Sequence, residues 1–377
     1  MSLAQLAVAL DQGEEHAGVA AFGLLSSLAT IWLRRRHRRF LDSLYLQRVL
    51  SGGPRVVAIG GGSGLPNLLR GLKHYTSNIT AVVTVADDGG SSGRLRSELG
   101  ILPPGDIRNC LVALADSEAV MQQLMDYRFS TNGQLDGHSF GNILIAALAS
   151  IGGDFYKGVE IAGELLGIRG RVVPSTFTDI TLVGSTVSGR QLIGESRVGR
   201  SSERLRSLVL LPPDAAAHPD AVKAINEADL IILGPGSLFT SVVPNLLVRE
   251  IATALGRASA LKMYICNVAG EPGETVGYSI LDHLNVVRRY SGGASVDVVI
   301  ANNNLPPPEQ QNGLGLILPK GAWEDHAIYV PADVIDESVP SRHDPAKLAS
   351  AISEAYKKHR GKRRRLPRLR RNLDRPT

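Results

Sequence analysis

The chain alternates short β-branched apolar runs with longer segments in which apolar residues recur at helical spacing. Such runs are typical of buried strands, and the segments between them are typical of helices. The predicted strands are Val56–Ile59, Ile79–Val85, Leu230–Leu233, Lys262–Cys266 and Val296–Ile300. The predicted helices are a segment opening near Leu65, Ile107–Ala115, Val120–Tyr127, Ser139–Ser150, Tyr156–Leu166, a segment from Asn245, Ser279–Arg289 and Pro345–Lys357. This alternation predicts an α/β fold with a mostly parallel sheet.

Residues 171–211 follow a different pattern, because Val, Thr, Gly and Ser nearly alternate there. Ile180–Val183 and Leu192–Val198 are the clearest examples. A period of two is typical of half-buried strands joined by tight turns. The segment therefore predicts a small β-hairpin insert or sheet edge.

The two ends of the chain differ from its body. The uncharged run Ala17–Leu33 is at the lower limit for a bilayer span, and five arginines follow it between positions 34 and 39. Glycines and serines thin its hydrophobicity, so an interfacial helix or helical hairpin fits equally well. We predict an N-terminal extension (1–50) that is a candidate membrane anchor, a folded domain (51–356) and a basic disordered tail (357–377).

Charge and cysteine content exclude several classes of protein. The net charge of +5 divides into +2 for residues 1–50, +10 for 357–377 and −7 for the body. The basic tail suits nonspecific contact with anionic lipid or RNA, whereas the acidic body argues against specific nucleic acid binding. Cys110 and Cys266 lie far apart, which excludes a disulfide framework and a cysteine zinc site.

A glycine-rich loop follows the first predicted strand. It comprises Gly60, Gly61, Gly62, Ser63 and Gly64. Glycines let the backbone approach a ligand, and the helix that opens next directs unpaired N–H groups at it, which suits a phosphate. Leu65 stands where the dinucleotide fingerprint needs a small residue, which argues against NAD. The alternative is that the glycines only form a strand-to-helix turn.

A second loop repeats the Gly-x-Gly-Ser pattern after the strand Leu230–Leu233. Its candidate phosphate-binding residues are Gly234, Gly236, Ser237, Thr240, Ser241 and Asn245. Because ligands of open α/β sheets bind at the carboxyl ends of the strands, the two loops are placed to hold two parts of one ligand. Chance similarity between two strand-loop-helix units is the alternative.

Further polar residues cluster after the predicted strands and at helix starts. The candidates for the sugar, ribose or acceptor side are Asp87, Asp88, Ser91, Ser92, Arg94, Arg108, Asn109, His138, Asn142 and Asn267. Asp106 is the candidate catalytic residue and the candidate ligand for Mg²⁺, the one cofactor considered. Helix capping is the alternative role for Asp106 and His138. The sequence contains no Ser-His-Asp order, Walker A motif or zinc spacing.

Five of these stretches resemble the YvcK branch of the YvcK/CofD family. They are IGGGSGL, VTVADDGGSSGRLRSELGILPPGDIRNCLVALAD, DGHSFGNILIAAL, ADLIILGPGSLFTSVVPNLLV and CNVAGEPGETVGY. The resemblance covers residues 55–355 and implies a Rossmann-like, mostly parallel sheet with helices on both faces, in a cytoplasmic protein. YvcK-like members are gluconeogenesis factors that bind UDP-sugars, notably UDP-N-acetylglucosamine, and support cell shape and wall synthesis during gluconeogenic growth.

The CofD branch of the family implies a different activity. Its members move 2-phospholactate from a guanosine diphosphate carrier onto a deazaflavin. By position, Gly60–Gly64 and Gly234–Ser241 resemble the family's phosphate loops, and Asp106 resembles an acidic residue that faces the acceptor or a metal. The Asp87-Asp88-Gly-Gly-Ser-Ser-Gly-Arg form resembles the YvcK branch and argues against deazaflavin transfer.

We therefore expect a UDP-sugar-binding regulator, in which Asp87, Asp88 and Asn267 hold the sugar or ribose. The alternatives are a transferase of the CofD type and a scaffold without a ligand. The sequence leaves open whether the protein is a homo-oligomer and whether residues 17–33 tether it to the membrane.

Overall fold

The first strand of the main sheet has apolar side chains on both of its faces. In β1 (Val56–Gly60), Val57 and Ile59 pack into one hydrophobic core, while Val56 and Ala58 pack into a second. Because successive side chains point to opposite sides of a strand, the sheet needs helices on each face. The unit that contains this sheet begins at Gly53.

A seven-stranded sheet forms the centre of this unit. Its other strands are β2 (Ile79–Val83), β3 (Arg171–Pro174), β7 (Leu230–Leu233), β8 (Leu261–Ile265), β9 (Val298–Asn302) and β10 (Ile328–Ala332). Every neighbouring pair is parallel, in the order β10-β9-β8-β7-β1-β2-β3. The prediction of a mostly parallel sheet is confirmed.

Helices cover both faces of the sheet. In chain order they are α1 (Gly64–Leu72), α2 (Gly90–Leu99), α3 (Gly105–Leu114), α4 (Glu118–Asp126), α5 (Phe140–Gly152), α6 (Phe155–Leu166), α7 (Glu195–Val198), α8 (Pro219–Glu227), α9 (Val243–Leu247), α10 (Arg249–Arg257), α11 (Ile280–Tyr290) and α12 (Pro345–His359). Leu65 of α1 and Leu348 of α12 lie in one core, whereas Leu246 of α9 and Leu284 of α11 lie in the other.

The direction of strand addition reverses beside β1. The chain adds β2 and β3 on one side of β1, then returns to place β7 on its other side and continues outward to β10. Such a switch point opens a crevice outside the carboxyl ends of the two strands, and ligands of open α/β sheets bind there. Both glycine loops leave these two strands.

A small antiparallel sheet is inserted between β3 and β7. It consists of β4 (Thr181–Thr186), β5 (Gln191–Ile193) and β6 (Leu205–Leu211) in the order β5-β4-β6, which confirms the predicted hairpins. Two details of the prediction are wrong. Residues 171–174 join the main sheet, because Val172 and Val173 are buried in its two cores. The predicted strand to Val198 ends early, since Gly194 turns the chain with φ 103° and α7 follows.

Three other elements differ from the predictions. The helix expected from Asn245 starts earlier, as a π-helical turn (Leu238–Val242) that leads into α9. Helix α2 and strand β10 have no predicted counterpart. β10 contains Pro331, which an edge strand tolerates because its N–H is not needed for pairing.

The computed structural model describes residues 48–116, 118–304, 315–317, 323 and 325–361. The candidate anchor (17–33) and positions 362–377 of the tail lie outside the described residues. Within those described, no single helix is long and apolar enough to cross a membrane, and one pair of helices bent by 81° passes by length and composition only.

Candidate functional site

The two glycine loops are in direct backbone contact at the switch point. A Cβ atom on Gly64 would lie 2.6 Å from the Pro235 oxygen and 2.7 Å from the Gly236 nitrogen. Gly236 itself has φ 151°, and a Cβ there would lie 3.2 Å from the Gly61 oxygen. These glycines therefore do more than turn the chain, because a side chain at either position would push the loops apart.

Asp106 fixes the conformation of the first loop. Its Oδ2 atom accepts a hydrogen bond of 2.7 Å from the backbone N–H of Gly62, whose φ is 60°. Burial raises the pKa of Asp106 to about 6, with a further contribution from Asp87, although the Gly62 hydrogen bond opposes this rise. Asp106 lies in the first turn of α3 and does not cap it.

A cleft opens beside the loop contact. Its volume is about 240 Å³, and it is lined by Ser63, Gly64, Asn67, Pro235, Gly236, Ser237, Asn267, Val268, Ala269, Gly270, Glu271, Pro272, Ser341, Arg342 and His343. Helix α1 begins at its wall, and the first turn of α1 contains no acidic side chain. The unpaired N–H groups and the helix dipole at this end favour an anion.

The hydroxyl and amide groups of the second loop are engaged within the protein. Thr240 Oγ1 donates to Glu274 Oε1 at 2.5 Å. Asn245 is fully buried, and its Nδ2 donates to the Gly60 oxygen at 3.1 Å and to the Ser241 oxygen at 2.8 Å. Asn245 thus ties the two loops together from beneath.

The residues expected to hold the sugar or ribose lie on both sides of the loops. Asp87 Oδ1 accepts from the Gly89 N–H at 2.9 Å. Asp88 Oδ1 accepts from the Ser196 N–H at 2.9 Å, so Asp88 anchors the insert. Asn267 lines the cleft, where its Oδ1 lies 3.5 Å from the Gly236 nitrogen.

Several other predicted residues form a buried network behind Asp87. Ser91 Oγ lies 3.0 Å from His138 Nδ1 and accepts from Asn142 Nδ2 at 3.1 Å. The Arg108 guanidinium donates to Ser139 Oγ at 2.6 Å and to Asn142 Oδ1 at 3.1 Å. The network joins the N-terminal ends of α2 and α5. Ser139 caps α5, and the alternative of capping by His138 is wrong.

The remaining members of the predicted set extend this network. Asn109 Oδ1 accepts from Arg108 at 2.8 Å, and a Cβ on Gly105 would lie 2.5 Å from Ser92 Oγ. Arg94 donates to the Asp136 oxygen at 2.7 Å, in the loop that precedes α5. The Arg94 and Arg108 guanidinium groups are thus bonded to protein groups, and neither lines the cleft.

The structure adds carboxyl groups that the sequence did not single out. Glu195 of α7 faces Asp87, Asp106 and Glu274, and burial together with these charges raises its pKa to about 8. Burial also raises the pKa of Glu274 to about 7. Glu271 accepts from Asn267 Nδ2 at 3.1 Å, and burial raises its pKa.

Cationic and neutral groups from the C-terminal part of the chain complete the cleft wall. Arg342 and His343 enter it from the segment before α12. His343 Nε2 lies 3.1 Å from the Cys266 oxygen, and burial lowers the pKa of His343 to about 4. Repeated glutamates in Gly270-Glu-Pro-Gly-Glu274 were the one available signal for the acidic residues. No sequence pattern indicated Arg342.

The expected Mg²⁺ ligand set was examined against the geometry. No group of three or more His, Cys, Asp or Glu side chains in the described part of the chain is arranged to hold a metal ion. Asp106 directs one carboxylate oxygen at the Gly62 N–H. The role of Asp106 toward Mg²⁺ stays a prediction.

Comparison with known proteins gives consistent results. The sequence model of the family described as 2-phospho-L-lactate transferase CofD matches residues 56–314. The gluconeogenesis factor of Halalkalibacterium halodurans is 47% identical over 317 residues, which cover 79% of this chain and 95% of that protein. The gluconeogenesis factor of Bacillus subtilis is 45% identical over 256 residues, which cover 68% of this chain and 81% of that protein.

A solved structure has the same fold. The crystal structure of a UPF0052 family protein from Bacillus halodurans gives a TM-score of 0.74 at 39% sequence identity, covering 80% of this chain and 99% of that chain. Fold, motifs and sequence identity agree over the sheet and both glycine loops. The chain therefore belongs to the YvcK/CofD family, in the branch whose members are named gluconeogenesis factors.

Proposed function

We propose that the protein is a UDP-sugar-binding regulator, with UDP-N-acetylglucosamine as its ligand, that supports cell shape and wall synthesis under gluconeogenic growth. The contact between the two glycine loops at the switch point carries this proposal. Backbone N–H groups of the loops and the N-terminus of α1 suit a diphosphate. The proposal includes a cytoplasmic location.

The charges around the cleft support an elongated ligand with two chemically different ends. Arg342 lies at the cleft wall, near the start of α1. Beyond the loop contact lie the carboxyl groups of Asp87, Asp106 and Glu195. A guanidinium group attracts phosphate, whereas carboxyl groups repel it and bind hydroxyl or amide donors. A diphosphate that bears a neutral sugar matches this polarity.

A calorimetric titration of the full chain tests the proposal. The ligands are UDP-N-acetylglucosamine, UDP and GDP, each with and without Mg²⁺, followed by mass analysis of the ligand after long incubation. We expect saturable binding that prefers the UDP-sugar and leaves it unchanged. The Gly236→Val variant should lose binding, because its side chain would enter the space between the loops. Normal binding by that variant would contradict the loop assignment.

A transferase of the 2-phospho-L-lactate type is the second candidate, and one observation favours it. Asp106 is buried beside the first loop with its pKa raised to about 6, which suits a group that removes a proton from an acceptor hydroxyl. This function predicts preference for GDP, and turnover that needs Mg²⁺ and is abolished in Asp106→Asn. A converted ligand in the mass analysis would support it over the regulator.

A further inference from the structure

The insert places a short helix against the candidate site. Asp88 Oδ1 holds the Ser196 N–H of α7, and a Cβ on Gly194 would lie only 2.1 Å from Asp88 Oδ2. On its other side, a Cβ on Gly273 would lie 2.2 Å from the Gly199 oxygen. Helix α7 is therefore packed between the loop after β2 and the loop after β8.

Glu195 is the first residue of this helix, and its side chain is partly buried. It faces the carboxyl groups of Asp87, Asp88, Asp106 and Glu274. Among the residues that the structure describes, no hydrogen bond or ion pair reaches the Glu195 carboxyl group. Glu274, by comparison, accepts hydrogen bonds from the Phe239 N–H and from Thr240. A carboxyl group in this position lacks the partners that buried polar groups normally have.

We propose that Glu195 is a specificity-determining residue of the nucleotide-sugar site, where its carboxyl group forms hydrogen bonds with the hydroxyl or amide groups of the sugar. This inference rests on the proposed function and assigns the sugar end of the ligand to the side of the cleft formed by the insert. Hydroxyl and amide groups are donors that satisfy a carboxyl group without adding negative charge. A phosphate at the same place would meet four further carboxylates.

The raised pKa of Glu195 agrees with this role. A protonated carboxyl group both donates and accepts a hydrogen bond, as a glutamine amide does. The variant Glu195→Gln therefore keeps the proposed contacts, whereas Glu195→Ala removes them. Asp214→Ala is the matched control, because Asp214 is an exposed carboxylate in the loop that follows β6.

The test compares the ratio of the Kd for UDP to the Kd for UDP-N-acetylglucosamine, measured by calorimetry on the full chain. We expect Glu195→Ala to lower this ratio by about tenfold while the Kd for UDP stays within about twofold. Glu195→Gln and Asp214→Ala should keep most of the ratio. Thermal unfolding checks that each variant is folded.

The possible results separate this inference from the proposed function. An unchanged ratio in Glu195→Ala would overturn the role of Glu195, and so would an equal loss of affinity for both ligands, which would indicate a purely structural role. If the wild-type chain bound neither ligand, the proposed function itself would be wrong, and this inference would fall with it.

Discussion

The Asp106 carboxylate accepts the backbone N–H of Gly62 at 2.7 Å, across 44 positions of sequence. One N–H of the first glycine loop is thus occupied by a side chain, in a loop whose other N–H groups are proposed to bind phosphate. The bond holds the loop in shape, but its negative charge lies close to the proposed diphosphate.

The variant Asp106→Asn separates these two effects. The amide oxygen can still accept from Gly62, while the negative charge is removed. We therefore expect Asp106→Asn to bind UDP at least as tightly as the wild-type protein does at neutral pH, as measured by calorimetry. A loss of affinity of about tenfold would mean that the charge itself takes part in binding.

The variant Asp106→Ala is the companion experiment. It leaves the Gly62 N–H without its partner, which costs on the order of 1–3 kcal/mol in stability. Chemical denaturation should show this loss for Asp106→Ala and much less of it for Asp106→Asn at neutral pH. Equal stability of the alanine variant and the wild type would contradict the structural role of this bond.

Two glycines in different helices form a matched test of helix packing. Gly71 lies where α1 meets α12, and a Cβ there would lie 2.0 Å from the Pro345 oxygen. Gly256 in α10 has no atom within 4 Å of such a Cβ. We expect Gly71→Ala to lower the free energy of unfolding by about 1–3 kcal/mol, and Gly256→Ala to raise it by up to about 1 kcal/mol. Similar effects of the two substitutions in denaturant titrations would contradict the close contact between α1 and α12.

Local sequence patterns predicted the repeated elements of the fold but not their order in the sheet. The strands Val56–Ile59 and Leu230–Leu233 were recognised from their apolar runs, and they lie side by side in parallel. Their adjacency depends on packing between segments that are far apart in sequence. The prediction that both glycine loops leave the same edge of the sheet is confirmed, and its purpose became clear only from the contact of Gly64 with Pro235.

The residues that sequence reasoning missed share one physical cause. Glu195 lay in a segment assigned to a strand, and Arg342 lies in a segment without hydrophobic periodicity. Tertiary packing of the insert and of the segment before α12 brings them to the site. Residues such as Arg94 and His138 were chosen correctly as a polar cluster, but the structure shows their side chains bonded to protein groups.

The attachment of the insert predicts a change in local dynamics. Removing the Asp88 carboxylate leaves the Ser196 N–H of α7 without its acceptor. We expect Asp88→Ala to speed amide hydrogen exchange in residues 194–199 and to leave exchange in β1 unchanged. Asp88→Asn retains an acceptor oxygen and should show a smaller effect. Unchanged exchange in Asp88→Ala would mean that the glycine contacts alone hold α7 in place.

Stability should fall as the pH rises above neutrality. The pKa of Glu195 rises from 4.5 to about 8 on folding, and that of Glu274 rises from 4.5 to about 7. Between the unfolded and folded values, the native protein holds more protons than the unfolded chain does, so the free energy of unfolding decreases with increasing pH. His343 acts in the opposite direction, but only below its ordinary value of 6.5, because burial lowers its pKa to about 4.

Denaturant titrations between about pH 6.5 and 8.5 measure this dependence without the contribution of His343. We expect the wild-type protein to lose stability across this range and Glu195→Gln to lose less, because its amide does not ionise. Asp214→Asn, which changes an exposed carboxylate, should follow the wild type. A chelator in every sample removes stray divalent cations, which would stabilise the ionised carboxylates. If Glu195→Gln kept the full wild-type slope, the Glu195 carboxyl group would ionise near its ordinary pKa, and its burial among the other carboxylates would be wrong.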